Sequence, residues 1–191
     1  MHRRLLLATA ALALAVGSPA LSQDSGSDPA SPAEPQLSEQ NDQPAGSEAA
    51  TASTPQEFAT MAAQSNMLEI ESSRVALEKA QSDEVREFAQ KMVDDHTKAG
   101  EEMTQAAAGD GVNDVPKSLD AAHEQMLTQL EQASADQFDS QYVQMQLAAH
   151  QQAVALFSSY AEQQGTLADF AEKTLPTLQE HLEQVQQLAQ Q

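Results

Sequence analysis

The sequence predicts an all-α fold, a four-helix up-down bundle with an additional short helix between long helices 2 and 3. Between residues 54 and 188, apolar residues recur with the i, i+3, i+4 spacing of amphipathic helices, and no segment shows the alternation typical of a strand. Capping residues and glycines divide this region into four long segments and one short segment. Each long segment has about 25 residues, hence about 37 Å of helix. Amphipathic helices of similar length with short connections are typical of a bundle.

The chain begins with the features of a secretory signal peptide. Arg3 and Arg4 precede the apolar stretch 5–16, and Ala20-Leu21-Ser22 resembles a cleavage site. The apolar stretch is too short for a stable membrane anchor, which is the alternative interpretation. We therefore predict a signal peptide over residues 1–22, a periplasmic or secreted location, and no stable membrane insertion after signal cleavage.

Residues 23–53 are predicted to form a disordered acidic spacer rich in Pro, Ser and Ala. This segment carries six carboxylates, no Lys or Arg and a single large aliphatic residue, Leu37. It cannot bury enough apolar surface to offset the entropy of ordering the chain. The helical bundle domain is predicted over residues 54–191.

Capping residues mark the first two long helices. Thr54 and Glu57 form a capping box, so the first helix should begin here and run to about Ala80. Ser82 is the N-cap of the second helix, and two acidic residues follow it in the first turn. The second helix should end at Gly109.

The remaining helices follow from the same signals. A short helix is predicted from Leu119 to about Gln132. Ser134 opens a capping box for the third long helix, which should extend to about Gln163. A further box beginning at Thr166, with Asp in place of Glu, marks the start of the last long helix.

The strong negative charge limits the classes of partner. The full chain has 9 Lys+Arg and 29 Asp+Glu, a formal net charge of −20. Cleavage after Ser22 would leave 7 basic and 29 acidic residues, a charge of −22. Such a surface repels nucleic acid and anionic lipid. The sequence contains no cysteine, which excludes disulfides and thiolate metal sites, and it identifies neither a protein partner nor an oligomeric state.

Four segments of the bundle region resemble one exported protein family. They are MLEIESSRVALEKAQSDEVREFAQKMVDDH, the GV…VPKSLD connection, FDSQYVQMQLAAHQQAVALF and LADFAEKTLPTLQEHL. Together they make the region from Phe58 to Leu188 similar to the ferritin-like family called domain of unknown function 4142. The resemblance implies a four-helix ferritin-like fold and export, and it assigns no activity. Ala149 stands before His150, where the analogy with Asp95 before His96 predicts a carboxylate.

Three histidines on different long helices are the residues that most clearly indicate a functional site. His96, His150 and His181 each follow a core aromatic residue by eight or eleven positions, so each ring points roughly toward the core. Glu69 falls within the apolar stripe of the first helix, and Asp95 lies at the edge of the second stripe. Since histidine is the commonest metal ligand, we predict a mononuclear site of three histidines and Glu69, with Asp95 supporting or supplementing them. Such a donor set suits Zn, Cu or Fe ions.

Two other arrangements of these residues stay open. The four side chains could be buried polar groups that hydrogen-bond to one another, or they could lie at different heights and never meet. A standard di-iron centre is not predicted. Val93 and Leu178 stand three residues before His96 and His181, where Glu-x-x-His motifs carry glutamate.

Other candidate sites have weaker signals. Four methionines lie on the apolar stripes, where a soft copper site is the alternative to ordinary core packing: Met61, Met92, Met103 and Met145. His123 lies on the apolar side of the short helix and is interpreted as a packed or surface histidine. No G-x-S-x-G nucleophile motif or glycine-rich phosphate loop occurs in the sequence.

The sequence thus predicts an exported helical-bundle protein that binds a transition metal in the bundle core and has no assigned catalytic residues. The alternative is a non-metal interaction or stress-protection module of the cell envelope, in which the buried histidines are structural. An enzyme is the least favoured of the three classes because no reaction is indicated by any motif.

Overall fold

The computed structural model describes residues 51–191, so the predicted signal peptide and most of the predicted spacer lie outside the described residues. The helices are α1 (Pro55–Lys79), α2 (Asp83–Gly109), α3 (Ala121–Glu131), α4 (Ala135–Tyr160) and α5 (Thr166–Leu188). No strand occurs in this part of the chain. The predicted all-α bundle, with a short helix between the second and third long helices, is confirmed. Within residues 51–191, none of the helices combines the length and hydropathy needed to cross a bilayer.

Local capping sets the starts of α1 and α2, as the sequence predicts. Thr54 Oγ1 accepts a hydrogen bond from Glu57 N, and the Glu57 carboxylate accepts one from Thr54 N. Ser82 Oγ accepts a hydrogen bond from Val85 N at the start of α2. Each bond satisfies a backbone N–H that has no partner within its own helix.

The starts of α4 and α5 differ from the prediction. Ser134 precedes α4 but makes no side-chain hydrogen bond to the backbone. The N-cap of α5 is Gly165, whose φ of 122° is a conformation that favours glycine. Asp110, at the end of α2, accepts hydrogen bonds from Thr166 N and Leu167 N at 2.8 and 2.9 Å. The capping boxes predicted at Ser134 and Thr166 are therefore wrong, and a residue from another helix caps α5.

The long helices form a bundle with one crossover. The helix pairs in contact are α1 with α2, α4 with α5, α2 with α5, and α1 with α4. Asp139, near the start of α4, accepts a hydrogen bond from Ser82 N at the start of α2. Since Asp110 joins the end of α2 to the start of α5, α2 and α4 run in the same direction. The segment containing α3 therefore returns along the bundle, a connection known in four-helix bundles. The alternating up-down order predicted from the sequence thus does not hold between α2 and α4.

Two apolar clusters form the core. The first cluster lies at the end where α1 begins, and there Phe58 stacks on Tyr160 with ring centroids 4.0 Å apart. Ala52, which precedes α1, is buried in this cluster. The second cluster lies at the opposite end and includes Phe138 stacked on Tyr142 at 6.4 Å. Burial of these rings is the main source of stability in such a bundle, and it leaves the space between the clusters for polar groups.

Candidate metal centre

Each long helix contributes one polar side chain to the space between the two clusters. These are Glu69 from α1, His96 from α2, His150 from α4 and His181 from α5, here called the polar layer. Their exposed fractions are 1, 5, 0 and 1%. The structure thus brings together the four residues that the sequence selected as candidate ligands. All four helices are held in register by the apolar clusters on either side, so the layer is preorganised.

The three imidazole rings form a nearly equilateral triangle. The ring centroids of His96 and His150 are 5.6 Å apart, and those of the other two pairs are 5.4 Å apart. One nitrogen from each ring lies within 4.8 Å of the others. Glu69 Oε2 is 2.8 Å from His96 Nε2 and 3.7 Å from His150 Nε2. The three rings therefore surround a common centre, and one Glu69 carboxylate oxygen lies beside two of them.

The atoms that face this centre have unsatisfied hydrogen-bonding capacity. Five buried side-chain atoms in residues 51–191 have no hydrogen-bond partner, and four of them belong to the polar layer: Glu69 Oε2, His96 Nε2, His150 Nε2 and His181 Nδ1. Glu69 Oε2 and His96 Nε2, 2.8 Å apart, form an ion pair only when His96 carries a second proton. Buried polar atoms without partners are rare and costly. A cation at the centre would satisfy all four.

The other nitrogen of each ring is hydrogen-bonded away from the centre. His96 Nδ1 donates to Asn66 Oδ1 at 3.1 Å, and His150 Nδ1 donates to the Gln146 carbonyl at 2.9 Å. His181 Nε2 contacts a carboxylate in the same way. Since a carbonyl or carboxylate only accepts, each neutral ring is held in the tautomer that turns a lone pair toward the centre. Metal-binding histidines are oriented by this same arrangement.

Electrostatics favour an ionised Glu69 carboxylate and a neutral His181 ring. Burial alone would raise the pKa of Glu69, but the positive charges of His96 and His150 outweigh it and hold this pKa at about 2. Burial alone would lower the pKa of His96, but the charge of Glu69 raises it above its ordinary value. Burial lowers the pKa of His181 to about 4. At neutral pH Glu69 is therefore ionised and His181 is neutral, as metal ligands must be.

Asp95 contacts His181 and not His96, its neighbour in the sequence. Asp95 Oδ2 accepts hydrogen bonds from His181 Nε2 and from Lys91 Nζ, both at 2.9 Å. The Asp95 side chain is 37% exposed, so it lies at the surface of the bundle. It therefore anchors the outer side of the His181 ring, while Nδ1 of that ring faces the centre.

The alanine before His150 does not leave that ring unsupported. Ala149 lies on the other side of α4 and lines a surface cavity together with His123. The Gln146 carbonyl holds His150 from within the same helix, so no carboxylate is needed at position 149. His123 itself is hydrogen-bonded to Asp120 at 2.8 Å, outside the polar layer. This agrees with its interpretation as a packed or surface histidine.

The methionines do not form a site of their own. Met61 and Met103 pack in the first cluster, and Met92 and Met145 pack in the second cluster. The polar layer separates the two pairs. The alternative of one soft copper site built from these four methionines is therefore not supported, and they fill space in the apolar core.

Two of the groups that orient the rings are not among the residues predicted from the sequence. Asn66 lies three residues before Glu69 on the same face of α1, a spacing that could have identified it. The Gln146 carbonyl is a backbone group, so no residue type signals it. Ser65, one turn before Glu69, donates to the second carboxylate oxygen of Glu69 at 3.0 Å.

Fold and site together define an all-helical bundle protein with a buried three-histidine, one-carboxylate centre. The chain belongs to the family described as domain of unknown function (DUF4142), whose match covers residues 40–188. No curated protein matches the chain. It is similar to the crystal structure of a DUF305 fragment from Deinococcus radiodurans, with a TM-score of 0.62 and 14% identity over 72% of this chain and 96% of that one. At this identity the likeness concerns the fold alone.

Proposed function

We propose that this protein binds one transition-metal ion in the polar layer. The ligands are Nε2 of His96, Nε2 of His150, Nδ1 of His181 and Oε2 of Glu69. The observation that supports this most is that these four atoms are buried and lack hydrogen-bond partners within residues 51–191, while the three ring nitrogens lie within 4.8 Å of one another. Three imidazole nitrogens and one carboxylate oxygen suit Zn²⁺, Cu²⁺ or Fe²⁺.

The spacing of the donors fits one ion after small movements. An ion with bonds of about 2.0–2.1 Å holds neighbouring donors about 3–3.5 Å apart. The three ring nitrogens lie within 4.8 Å of one another, and His150 Nε2 is 3.7 Å from Glu69 Oε2. Shifts of about 1 Å in the side chains would complete the geometry. Within residues 51–191 a second ion has no comparable set of ligands, because Val93 and Leu178 occupy the positions at which Glu-x-x-His motifs carry glutamate.

Charge balance also supports a divalent cation. Ionised Glu69 is buried, and a buried charge requires a partner of opposite sign. Without metal, a proton on His96 supplies that partner, which explains the raised pKa of His96. A divalent ion would replace this proton and stabilise the carboxylate more strongly. Asp95 acts on the metal through His181 by holding the ring and making it more basic.

Equilibrium binding to untagged protein tests the proposal. EDTA-treated protein is titrated with Zn²⁺, Cu²⁺ and anaerobic Fe²⁺ by calorimetry, and its unfolding temperature is measured with each ion. We expect a stoichiometry of one for at least one ion, and stabilisation of about 2.7 kcal/mol at one hundred times the dissociation constant. His96→Ala and His181→Ala should abolish this binding, while the matched control His123→Ala should retain it.

The alternative, a non-metal interaction module, predicts that no metal binds in the polar layer. If the histidines only specify the core of an interaction module, none of the three ions should bind at a stoichiometry of one. The alanine variants would then change stability without changing any metal response. Weak binding that is equal in wild type, His96→Ala and His181→Ala would place the ions on the acidic surface and exclude the proposed centre.

A further inference from the structure

A small cavity adjoins the polar layer on one side. Its volume is about 30 Å³, and Glu69 and His96 form part of its wall. Residues from all four long helices complete the wall, so the cavity lies between these helices. A water molecule needs at least about 10–15 Å³ of such volume, so the cavity has room for a molecule of one or two heavy atoms.

Helix directions place the cavity along the bundle axis, next to the proposed metal. On each helix a wall residue lies three or four positions from the ligand: Ser65, Ala99, Ala153 and Leu178. These positions precede the ligand in α1 and α5 and follow it in α2 and α4. Since α1 and α5 run opposite to α2 and α4, all four offsets point toward the same end of the bundle. That end is the one at which α1 begins.

The opposite side of the polar layer is closed by packed side chains. One turn in that direction are four residues with an exposed fraction of 0%: Ser72, Met92, Gln146 and Val185. The Gln146 amide nitrogen donates to Ser72 Oγ at 3.0 Å, which seals this side with a hydrogen bond. An ion in the polar layer would therefore have packed side chains on one side and the cavity on the other.

The cavity wall is mainly apolar beyond the ligands. Phe157, Phe170 and Met103 line its far side. Its other polar residues are Ser65, whose hydroxyl already donates to Glu69, Asn66, whose carbonyl oxygen already accepts from His96, and Thr174. An apolar wall of this kind disfavours a charged occupant and accepts a neutral one.

We infer that the metal has one further coordination position, which faces this cavity and takes a neutral molecule of one or two heavy atoms. Water and diatomic gases belong to this class. This inference rests on the proposed metal site and specifies which ligands can reach it. Four protein ligands with one position open toward a pocket differ from a closed structural site, in which protein atoms occupy every position.

Nitric oxide is a suitable probe because it is neutral and diatomic. Protein loaded anaerobically with Fe²⁺ is titrated with nitric oxide and followed by electron paramagnetic resonance. Protein loaded with Co²⁺ is titrated in parallel and followed by its visible absorption. We expect a new spectrum at one nitric oxide per metal. Ala153→Val and Ala99→Val fill the cavity from α4 and α2, and each should weaken nitric oxide binding at least tenfold while metal is retained.

Ala148→Val is the matched control, since Ala148 lies on the exposed face of α4. This variant should bind nitric oxide as the wild type does. Wild-type protein that holds one metal ion but shows no spectral change with nitric oxide in either form would overturn the inference and leave the metal site intact. Equal nitric oxide affinity in wild type and both cavity variants would also overturn it, as would loss of metal from both variants. Absence of metal binding by the wild type would instead overturn the proposed function.

Discussion

Asp95 on α2 holds His181 on α5 through a 2.9 Å hydrogen bond between Asp95 Oδ2 and His181 Nε2. The same oxygen accepts a hydrogen bond from Lys91 Nζ. The bond joins two helices and fixes the tautomer of a buried ring, so that Nδ1 faces the centre of the polar layer. The Asp95 carboxylate, at the surface of the bundle, thus determines which nitrogen of the buried His181 ring faces the centre.

Replacing Asp95 should therefore weaken metal binding although Asp95 is not a proposed ligand. We expect Asp95→Ala to reduce metal affinity by about 10–100-fold, because the ring loses its orienting partner. Calorimetric titration measures the change. Asp94→Ala is the control, since the neighbouring Asp94 is exposed and contacts Gln90 on its own helix. Equal affinities in the two variants would exclude this role for Asp95.

Glu69→Gln should affect both the metal and its neighbouring histidine. The variant removes the buried negative charge that raises the pKa of His96. We expect metal affinity to fall by at least about 100-fold, because a ligand is lost and even supporting groups contribute about 10–100-fold. The pKa of His96 should fall in the metal-free protein. Titration followed by NMR of the histidine ring protons measures the second effect.

The control for Glu69→Gln is Glu71→Gln on the same helix. Glu71 forms an exposed ion pair with Arg74, so its removal should alter neither metal affinity nor the pKa of His96. Unchanged metal binding by Glu69→Gln would remove the carboxylate from the proposed ligand set.

The metal-free protein should lose stability as the pH falls from about 6.5 to about 4. Burial lowers the pKa of His181 to about 4 in the folded state from 6.5. In this window the unfolded chain binds the proton more strongly, so acid favours unfolding. The free energy of unfolding should fall by up to about 3 kcal/mol from this residue.

Denaturant unfolding in EDTA at several pH values measures this dependence. The change of the free energy of unfolding with pH is compared between wild type and His181→Gln. The variant lacks the titrating ring, so its free energy of unfolding should vary less over the window. His96 has a raised pKa, so its contribution to stability changes only above about pH 6.5, outside this window, and it is present in both proteins. Identical slopes would contradict the assignment of this effect to His181.

Asp110→Ala should destabilise the bundle without affecting metal binding directly. Asp110 accepts hydrogen bonds from the first two amides of α5, and loss of a helix cap costs about 0.5–2 kcal/mol. Thermal unfolding measures the loss. Asp114→Ala, in the exposed loop after α2, should leave the stability unchanged. A wild-type unfolding temperature in Asp110→Ala would show that this contact is not a cap of any energetic weight.

The contrast between Thr54 and Asp110 shows which parts of the fold could be predicted. Thr54 caps α1 through Glu57, three residues away, so the interaction is visible in the sequence. Asp110 caps α5 across 56 residues, and no local pattern predicts which loops meet. The same distinction applies to the site. Helical periodicity placed His96 in the core, whereas its partner Asn66 depends on the relative heights of two helices.

A crystal structure of the metal-loaded protein, with anomalous diffraction recorded at the absorption edge of the metal, tests the proposed centre most directly. We expect one strong anomalous peak in the polar layer, about 2.0–2.2 Å from the four donor atoms of Glu69, His96, His150 and His181. Peaks confined to surface carboxylates, with the polar layer empty in a protein that carries bound metal, would contradict a metal centre in the bundle core.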